Sequence, residues 1–284
     1  MKSLTICVAT IVSVLTTGGF TMIHASDVSG PIPIVFSAAT IGLDGKSRNE
    51  FAVKEPIWVR FSLENVSDSK VTLLGFADRA AGVVITVEGD SSRRARALSR
   101  PEVSEDQWFT QMVFQPRGRI TFDILLADWV DIAGEGTVDL QATYIAGERS
   151  DDLDAAMGAR VNGQPLRLKK KFSVTLKGQI EGKGLEALLK SLQVLYSSDA
   201  VADRIRAVDS VRAIRVPEVL PLLAKAITDK VEEVQFQAVR ALSVLPYPEV
   251  TPILKKAADS RYESVKRAAQ VELDRRDKAN PGSF

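Results

Sequence analysis

The segment PEVLPLLAKA at residues 217–226 returns as PEVTPILKKA at residues 248–257, a near-copy displaced by 31 residues. A period of that length marks a stacked helical repeat, in which each unit buries its apolar face against its neighbours. From residue 184 onward the apolar side chains follow the helical period. Leu185, Leu188, Leu189, Leu192, Leu195 and Tyr196 share one face, Val219, Leu222, Leu223, Ala226 and Ile227 a second, and Val250, Ile253, Leu254, Ala257 and Ala258 a third. Each stripe has a partner: Ile205 and Val208 in the first, Val234, Ala238, Ala241, Leu242 and Leu245 in the second, Val265, Ala269 and Leu273 in the third. The spacing predicts three helix pairs near residues 184–215, 216–246 and 247–277.

The joints carry their own signals. Asp229 precedes Glu232, and Ser260 precedes Glu263, at the spacing of a capping box. Pro217 and Pro248 stand where a first helical turn tolerates a missing amide hydrogen. Arg275, Arg276, Asp277 and Lys278 replace the apolar stripe of the last helix, so that helix is expected to close the stack.

Ahead of this region the period is two. Ile57, Val59, Phe61 and Leu63 alternate with Trp58, Arg60, Ser62 and Glu64, which puts the two sets on opposite faces of a strand. The pattern returns at Ile120, Phe122, Ile124 and Leu126, at Val138, Leu140, Ala142 and Tyr144, and at Phe172, Val174 and Leu176 with Leu166 and Leu168 ahead of them. Strands separated by turn-rich segments such as NVSDSK at 65–70 predict an antiparallel β-sandwich over residues 27–176, joined to the repeats through a Gly and Lys linker at 177–183. The expected fold class is a multi-domain α and β protein, with the sandwich first, a helical repeat domain at 184–277 and a tail at 278–284.

The helical region resembles the HEAT repeat family, in which a short first helix, an Asp-bearing turn and a second helix opening on Val-Arg recur. Ile205-Arg206, Val234-Gln235 and Val265-Lys266 stand at that opening, with Gln235 interrupting the Asp-to-Arg ladder that the resemblance implies. The runs EPIWVRFSLENVSDSKVTL at 55–73, PRGRITFDILLADW at 116–129 and GTVDLQATY at 136–144 resemble the immunoglobulin-like sandwiches of secreted bacterial proteins. A bacterial proteinase-inhibitor family is similar in outline.

Composition narrows the chemistry by subtraction. The single histidine, His24, and the single cysteine, Cys7, both lie in an opening that reads as a secretory signal. Lys2 supplies its charge, Leu4 to Leu15 its apolar stretch, and cleavage is expected near Ala25. The mature chain then lacks the parts for a Ser-His-Asp triad, a Cys nucleophile, a His/Cys zinc site, a His-held haem or a disulfide. No cofactor and no metal site is expected. Losing Lys2 leaves 36 of 37 basic residues against 36 acidic ones, which argues against a nucleic-acid partner. If the signal is cleaved, no stable membrane insertion is expected; the alternative is an uncleaved anchor, since apolar character runs on to Ile23.

Catalytic patterns reduce to turns and linkers. Ser67 and Lys70 have Ser-x-x-Lys spacing in a turn and lack the partner motifs, while Gly178, Gly182, Lys183 and Gly184 miss the phosphate-loop spacing. Two long segments, 89–107 with Arg93, Arg94, Arg96 and Arg100 and 147–164 with Asp151, Asp152 and Asp154, read as irregular loops. The function expected is that of a non-enzymatic periplasmic or secreted adaptor that binds another protein. Its binding surface is expected on the second helices, through exposed Arg206, Arg212, Gln235, Gln237, Arg240, Lys266 and Arg267. The alternative is a proteinase inhibitor or enzyme regulator acting through a sandwich loop.

Overall fold

The computed structural model describes residues 33–76, 79–98, 109–146 and 166–279. The expected signal at 1–25, Arg100, the expected loop at 147–164 with Asp151, Asp152 and Asp154, and the residues after 279 lie outside the described residues.

Residues 34–179 form a β region of strands β1 (Ile34–Ile41), β2 (Glu50–Val53), β3 (Trp58–Asn65), β4 (Val71–Phe76), β5 (Val83–Val87), β6 (Ala95–Ala97), β7 (Phe109–Phe114), β8 (Arg119–Leu125), β9 (Val130–Ile132), β10 (Gly136–Ala146) and β11 (Leu166–Gln179). They form a sheet β1-β3-β8, a sheet β2-β11-β10-β5 and two ribbons, β4-β7 and β6-β9. The alternation read from the sequence holds. Val59, Phe61, Leu63, Val138, Leu140, Ala142, Tyr144 and Val174 are all buried in one core. Aromatic rings tie the two larger sheets together: Phe36 stacks on Phe61 at 5.4 Å, and Tyr144 from the other sheet lies 5.8 Å from Phe36 and 6.2 Å from Phe122. Such contacts are the interdigitation that defines a sandwich.

Three local features differ from expectation. Strand β2 pairs with β11 in parallel, because these strands come from opposite ends of the β region and no hairpin sets their direction. Strand β11 runs past Leu176 to Gln179, with an irregular register near Gly178, whose φ of +66° suits glycine. The segment after residue 89 is not irregular throughout: a 3-10 turn at Gly89–Arg93 leads into β6, which pairs with β9. Arg94 and Arg96 are exposed there. Ser67 belongs to a turn, its hydroxyl donating to Asn65 Oδ1 at 2.7 Å.

Six α-helices follow among the described residues: α1 (Gly182–Tyr196), α2 (Val201–Ile214), α3 (Leu220–Ala226), α4 (Glu232–Ser243), α5 (Val250–Ala258) and α6 (Glu263–Ala279). They stack as three pairs around one core, with Ala207, Ala238 and Ala269 fully buried at positions one repeat apart. Alanine at each of these places lets neighbouring helices approach closely.

The turns between paired helices repeat one arrangement. The side chains of Ser198, Asp229 and Ser260, each 31 residues from the next, accept the amide hydrogens of Ala200 at 3.1 Å, Val231 at 2.9 Å and Tyr262 at 3.2 Å. These are bonds to the second following residue, so neither Asp229 nor Ser260 caps its helix in the way the capping-box spacing predicts. Arg204 and Gln235 occupy the next repeated position. Arg204 Nη1 donates to Ser198 O at 3.1 Å, and Gln235 Nε2 donates to Asp229 O, so each fastens its own turn.

Each then reaches the next repeat. Arg204 Nε donates to Asp229 Oδ2 at 3.0 Å in a buried ion pair, and Ser260 Oγ donates to Gln235 Oε1 at 2.6 Å. The ladder therefore exists, but it runs through Arg204 and Gln235; Lys266, at the third equivalent position, lies beside Glu263 of its own helix instead. The register inferred from Ile205-Arg206 is two residues out. Tyr196 adds a hydrogen bond to Asp229 Oδ2 at 3.1 Å, and burial, with the carboxylate beside it, pushes its phenol up to about 12.

The end of α6 closes the stack through backbone groups. Arg276 Nη2 donates to Leu242 O at 3.0 Å and Leu245 O at 2.6 Å, and Arg275 Nη2 to Ser243 O at 3.0 Å. These satisfy carbonyls at the C-terminus of α4, where positive charge is favoured. Buried Glu272 holds both guanidinium groups at 2.7 and 2.8 Å. Among the described residues, no helix is long and apolar enough to cross a membrane.

Candidate functional site at the domain junction

Trp58 alternates with the inward residues of β3 and so faces out of the sandwich. Helix α2 covers it. Its indole Nε1 donates to Ser210 Oγ at 3.0 Å in a buried hydrogen bond, and its ring packs with Ile41, Leu125, Ala127 and Ala213. Leu43 from the β region enters the helical core itself.

Charged groups frame this contact. Arg206 Nη2 donates to Asp123 Oδ2 at 2.7 Å, while its guanidinium lies 4.8 Å from the Trp58 ring. Arg60 grips the same Asp123 with two bonds of 2.8 Å. Further along α2, Arg212 Nη2 bridges Asp128 of the β region at 2.8 Å and Asp209 of its own helix at 3.0 Å. Asp209 Oδ1 meets Arg212 Nη2 as an ion pair without hydrogen-bond geometry, and Arg212 Nε has no partner among the described residues, so this buried cluster is only partly satisfied.

The electrostatics follow from burial. Desolvation, opposed by Arg212, pushes the Asp209 carboxyl up to about 6, and burial raises Asp128 against the pull of Arg212, Arg240 and Arg215. The folded protein therefore binds the Asp209 proton more tightly than the unfolded chain. That contribution to stability is fully present below about pH 4 and is lost as the pH rises through about 6, with Asp128 acting in the same sense. Asp209→Asn is expected to flatten this part of the stability profile. It should also raise stability at neutral pH by up to about 3 kcal/mol, the equivalent of roughly two pKa units. Urea unfolding between about pH 4 and 8 measures it, and an unchanged pH dependence would refute the assignment.

A cleft of about 410 Å³ opens at the same junction, with an apolar floor that includes Ile57, Leu126 and Ile214, and with Lys54, Asp131 and Arg215 on its lining. Lys54 and Arg215 are non-glycine residues in left-handed backbone, with φ of 68° and 51°. Such conformations persist only where the surrounding structure holds them. Arg215 is held by its Nε bond to Arg212 O at 3.0 Å and by the hydroxyl of Tyr247, which donates to Arg215 O at 2.7 Å.

These contacts redistribute the residues expected to bind a partner. Arg206, with a side chain 15% exposed, and Arg212, 7% exposed, are covered by the chain's own β region. Gln235 is buried in the turn ladder, and Gln237 is buried between Glu233, to which it donates at 2.6 Å, and Arg240, which donates to it at 3.1 Å. Their expected exposure fails because a polar residue on a second helix can face a neighbouring turn or domain as readily as water. Arg240 and Arg267 are exposed and Lys266 is half-buried beside Glu263. Trp58, Asp123, Asp128, Asp209 and Ser210 were not singled out by sequence. The available signal was Trp58, an aromatic residue on the polar face of an alternating strand.

The α2 positions of this junction, 206, 209, 210, 212 and 213, recur one repeat later as Gln237, Arg240, Ala241, Ser243 and Val244, and again as Ala268, Val271, Glu272, Asp274 and Arg275. Val244 is 38% exposed and Val271 64% exposed. Among these equivalents Gln237, Ala241 and Glu272 are buried, whereas Arg240, Val244, Val271 and Arg275 stay open on the second and third pairs.

Residues 186–274 match the family model for HEAT repeats. The fold is thus a HEAT-like stack packed on a β-sandwich. No curated protein matches the chain. Among solved structures, the chain is similar to β-glucosidase from Listeria innocua in complex with glucose, at 15% identity and a TM-score of 0.24, covering 52% of this chain and 17% of that one. It is also similar to native alpha-2-macroglobulin from E. coli, at 12% identity and a TM-score of 0.28, covering 89% of this chain and 17% of that one. A Salmonella alpha-2-macroglobulin mutant gives 11% identity, a TM-score of 0.28, and coverage of 85% and 23%. The chain spans less than a quarter of the length of each of these proteins, and the functional reading rests on its own residues.

Proposed function

We propose that this chain is a non-enzymatic, extracytoplasmic adaptor that binds another protein, with an immunoglobulin-like sandwich as scaffold and the second-helix ridge of repeats two and three as binding surface. The opening of the chain supports the compartment, since it has the pattern of a secretory signal. HEAT-like repeats at 186–274 support protein interaction as the role.

The observation that carries the reading is internal to the molecule. Helix α2 uses its ridge to hold a protein surface through an aromatic anchor and flanking ion pairs. The equivalent positions on the second and third pairs present Arg240, Val244, Val271 and Arg275 to solvent, and Val244 and Val271 are large apolar side chains left exposed. Exposed apolar side chains rimmed by charge are the composition of an interaction patch.

A photo-crosslinking residue at position 271 of the full chain, used in native envelope extract, tests this. One discrete adduct is expected, and Arg240→Glu combined with Val244→Asp should reduce its yield at least about tenfold, the effect of roughly 1.4 kcal/mol of lost binding. Equal yield from that double variant would overturn the surface assignment.

A further inference from the structure

The opposite edge of the stack carries a second surface of a different kind. Lys225 and Lys256 are equivalent positions of α3 and α5, and Lys230 and Arg261 are equivalent positions of the turns that follow them. All four are exposed, as is Lys255 beside them. Between the two repeats lies a shallow groove of about 530 Å³, lined by Lys230, Lys256 and Arg261 together with Thr228, Asp259 and Ser260.

These cations differ from most arginines of the helical region in having no carboxylate. Arg204, Arg206, Arg212, Arg275 and Arg276 are each paired with one. Lys225, Lys230, Lys255, Lys256 and Arg261 form no ion pair among the described residues. Arg261 is nonetheless fixed in place: its Nη2 donates to Lys230 O at 3.0 Å, and its guanidinium lies 4.7 Å over the Tyr262 ring, whose hydroxyl donates to Lys230 O at 2.6 Å. Of the nearby carboxylates, Asp229 is consumed by Arg204, Glu232 accepts the Ser264 hydroxyl, and Glu263 sits beside Lys266. Asp259 alone among the acids lining the groove has no cation, which leaves the groove positive.

We infer that this groove binds an acidic, extended segment of a partner protein, laid across repeats two and three with its carboxylates on Lys230, Lys256 and Arg261. Neighbouring helices of a stack stand about 10 Å apart, close to the span of three extended residues at about 3.3 Å each. Acidic side chains three apart in such a segment therefore meet successive repeats. The groove offers no open aromatic ring on which a nucleic-acid base could stack, because Arg261 covers Tyr262.

Fluorescence anisotropy of a labelled decaglutamate peptide with the full mature chain tests the inference. Binding is expected at about 50 mM salt and should weaken steeply by about 300 mM, as screening shortens the reach of exposed charge. The groove variant Lys230→Glu with Lys256→Glu should bind at least about tenfold more weakly. The comparison variant Lys183→Glu with Lys190→Glu has the same net charge and alters only α1, so its affinity should stay within about twofold of the parent. Equal losses in the two variants, or no binding at low salt, would overturn the groove. A labelled oligothymidylate of matching charge that bound more tightly than the peptide, and was lost with the groove variant, would overturn the choice of partner class. Neither result touches the ridge on α4 and α6, which is read separately by crosslinking at position 271.

Discussion

Asp229→Ala is expected to destabilise the helical region by about 3 to 5 kcal/mol, because it leaves the buried Arg204 guanidinium without its carboxylate. It also removes the acceptor for Tyr196 and for the Val231 amide. The next rung of the ladder supplies a control. Gln235 and Ser260 make the same connection with neutral groups, so the double variant Arg204→Gln with Asp229→Ser should recover most of the loss. Serine can still take the Val231 amide, as Ser260 takes that of Tyr262. Chemical denaturation of the three proteins measures this. A double variant no more stable than Asp229→Ala would mean that the ladder is not the interchangeable device described above.

Trp58→Ala is expected to cost about 3 to 5 kcal/mol, the range for deleting a buried large aromatic side chain. The residue is 6% exposed and links the two regions through both its ring and its indole hydrogen. Most of the loss should fall on the contact between the regions. Ser210 keeps its bond to Arg206 O at 2.7 Å, and the core residues of the stack do not touch the deleted ring. Calorimetry should therefore show one transition in the parent and two in the variant. A single transition at an unchanged temperature would show that the indole does not couple the regions.

The parts of this architecture that repeat were legible in the sequence. Alternation placed Phe61, Leu140 and Val174 in the sandwich core, and the 31-residue copy placed Val219, Leu223, Val250 and Leu254 in the stack, because burial imposes its period on any element with one dry face. The ladder register was also available from that offset, since Ala207, Ala238 and Ala269 already align. Matching β-branched residues followed by a polar one selected Ile205-Arg206 in place of Asp203-Arg204. What the pattern could not supply was the company kept by polar side chains. Arg206 and Arg212 look like solvated charges on α2 until Asp123 and Asp128, more than eighty residues away in sequence, are brought against them. Only Trp58, placed on a face otherwise given to Arg60 and Glu64, hinted that another domain would lie there.

Arginine modification of the free, full-length protein by phenylglyoxal, read residue by residue by mass spectrometry, tests the central claim that the α2 face is committed to the sandwich while the α4 and α6 faces remain open. Arg206 and Arg212 should react at least about tenfold more slowly than Arg240 and Arg267, as expected where opening costs more than about 1.4 kcal/mol. Equal rates at the four positions would contradict the docked arrangement, and with it the assignment of the remaining ridge to a partner.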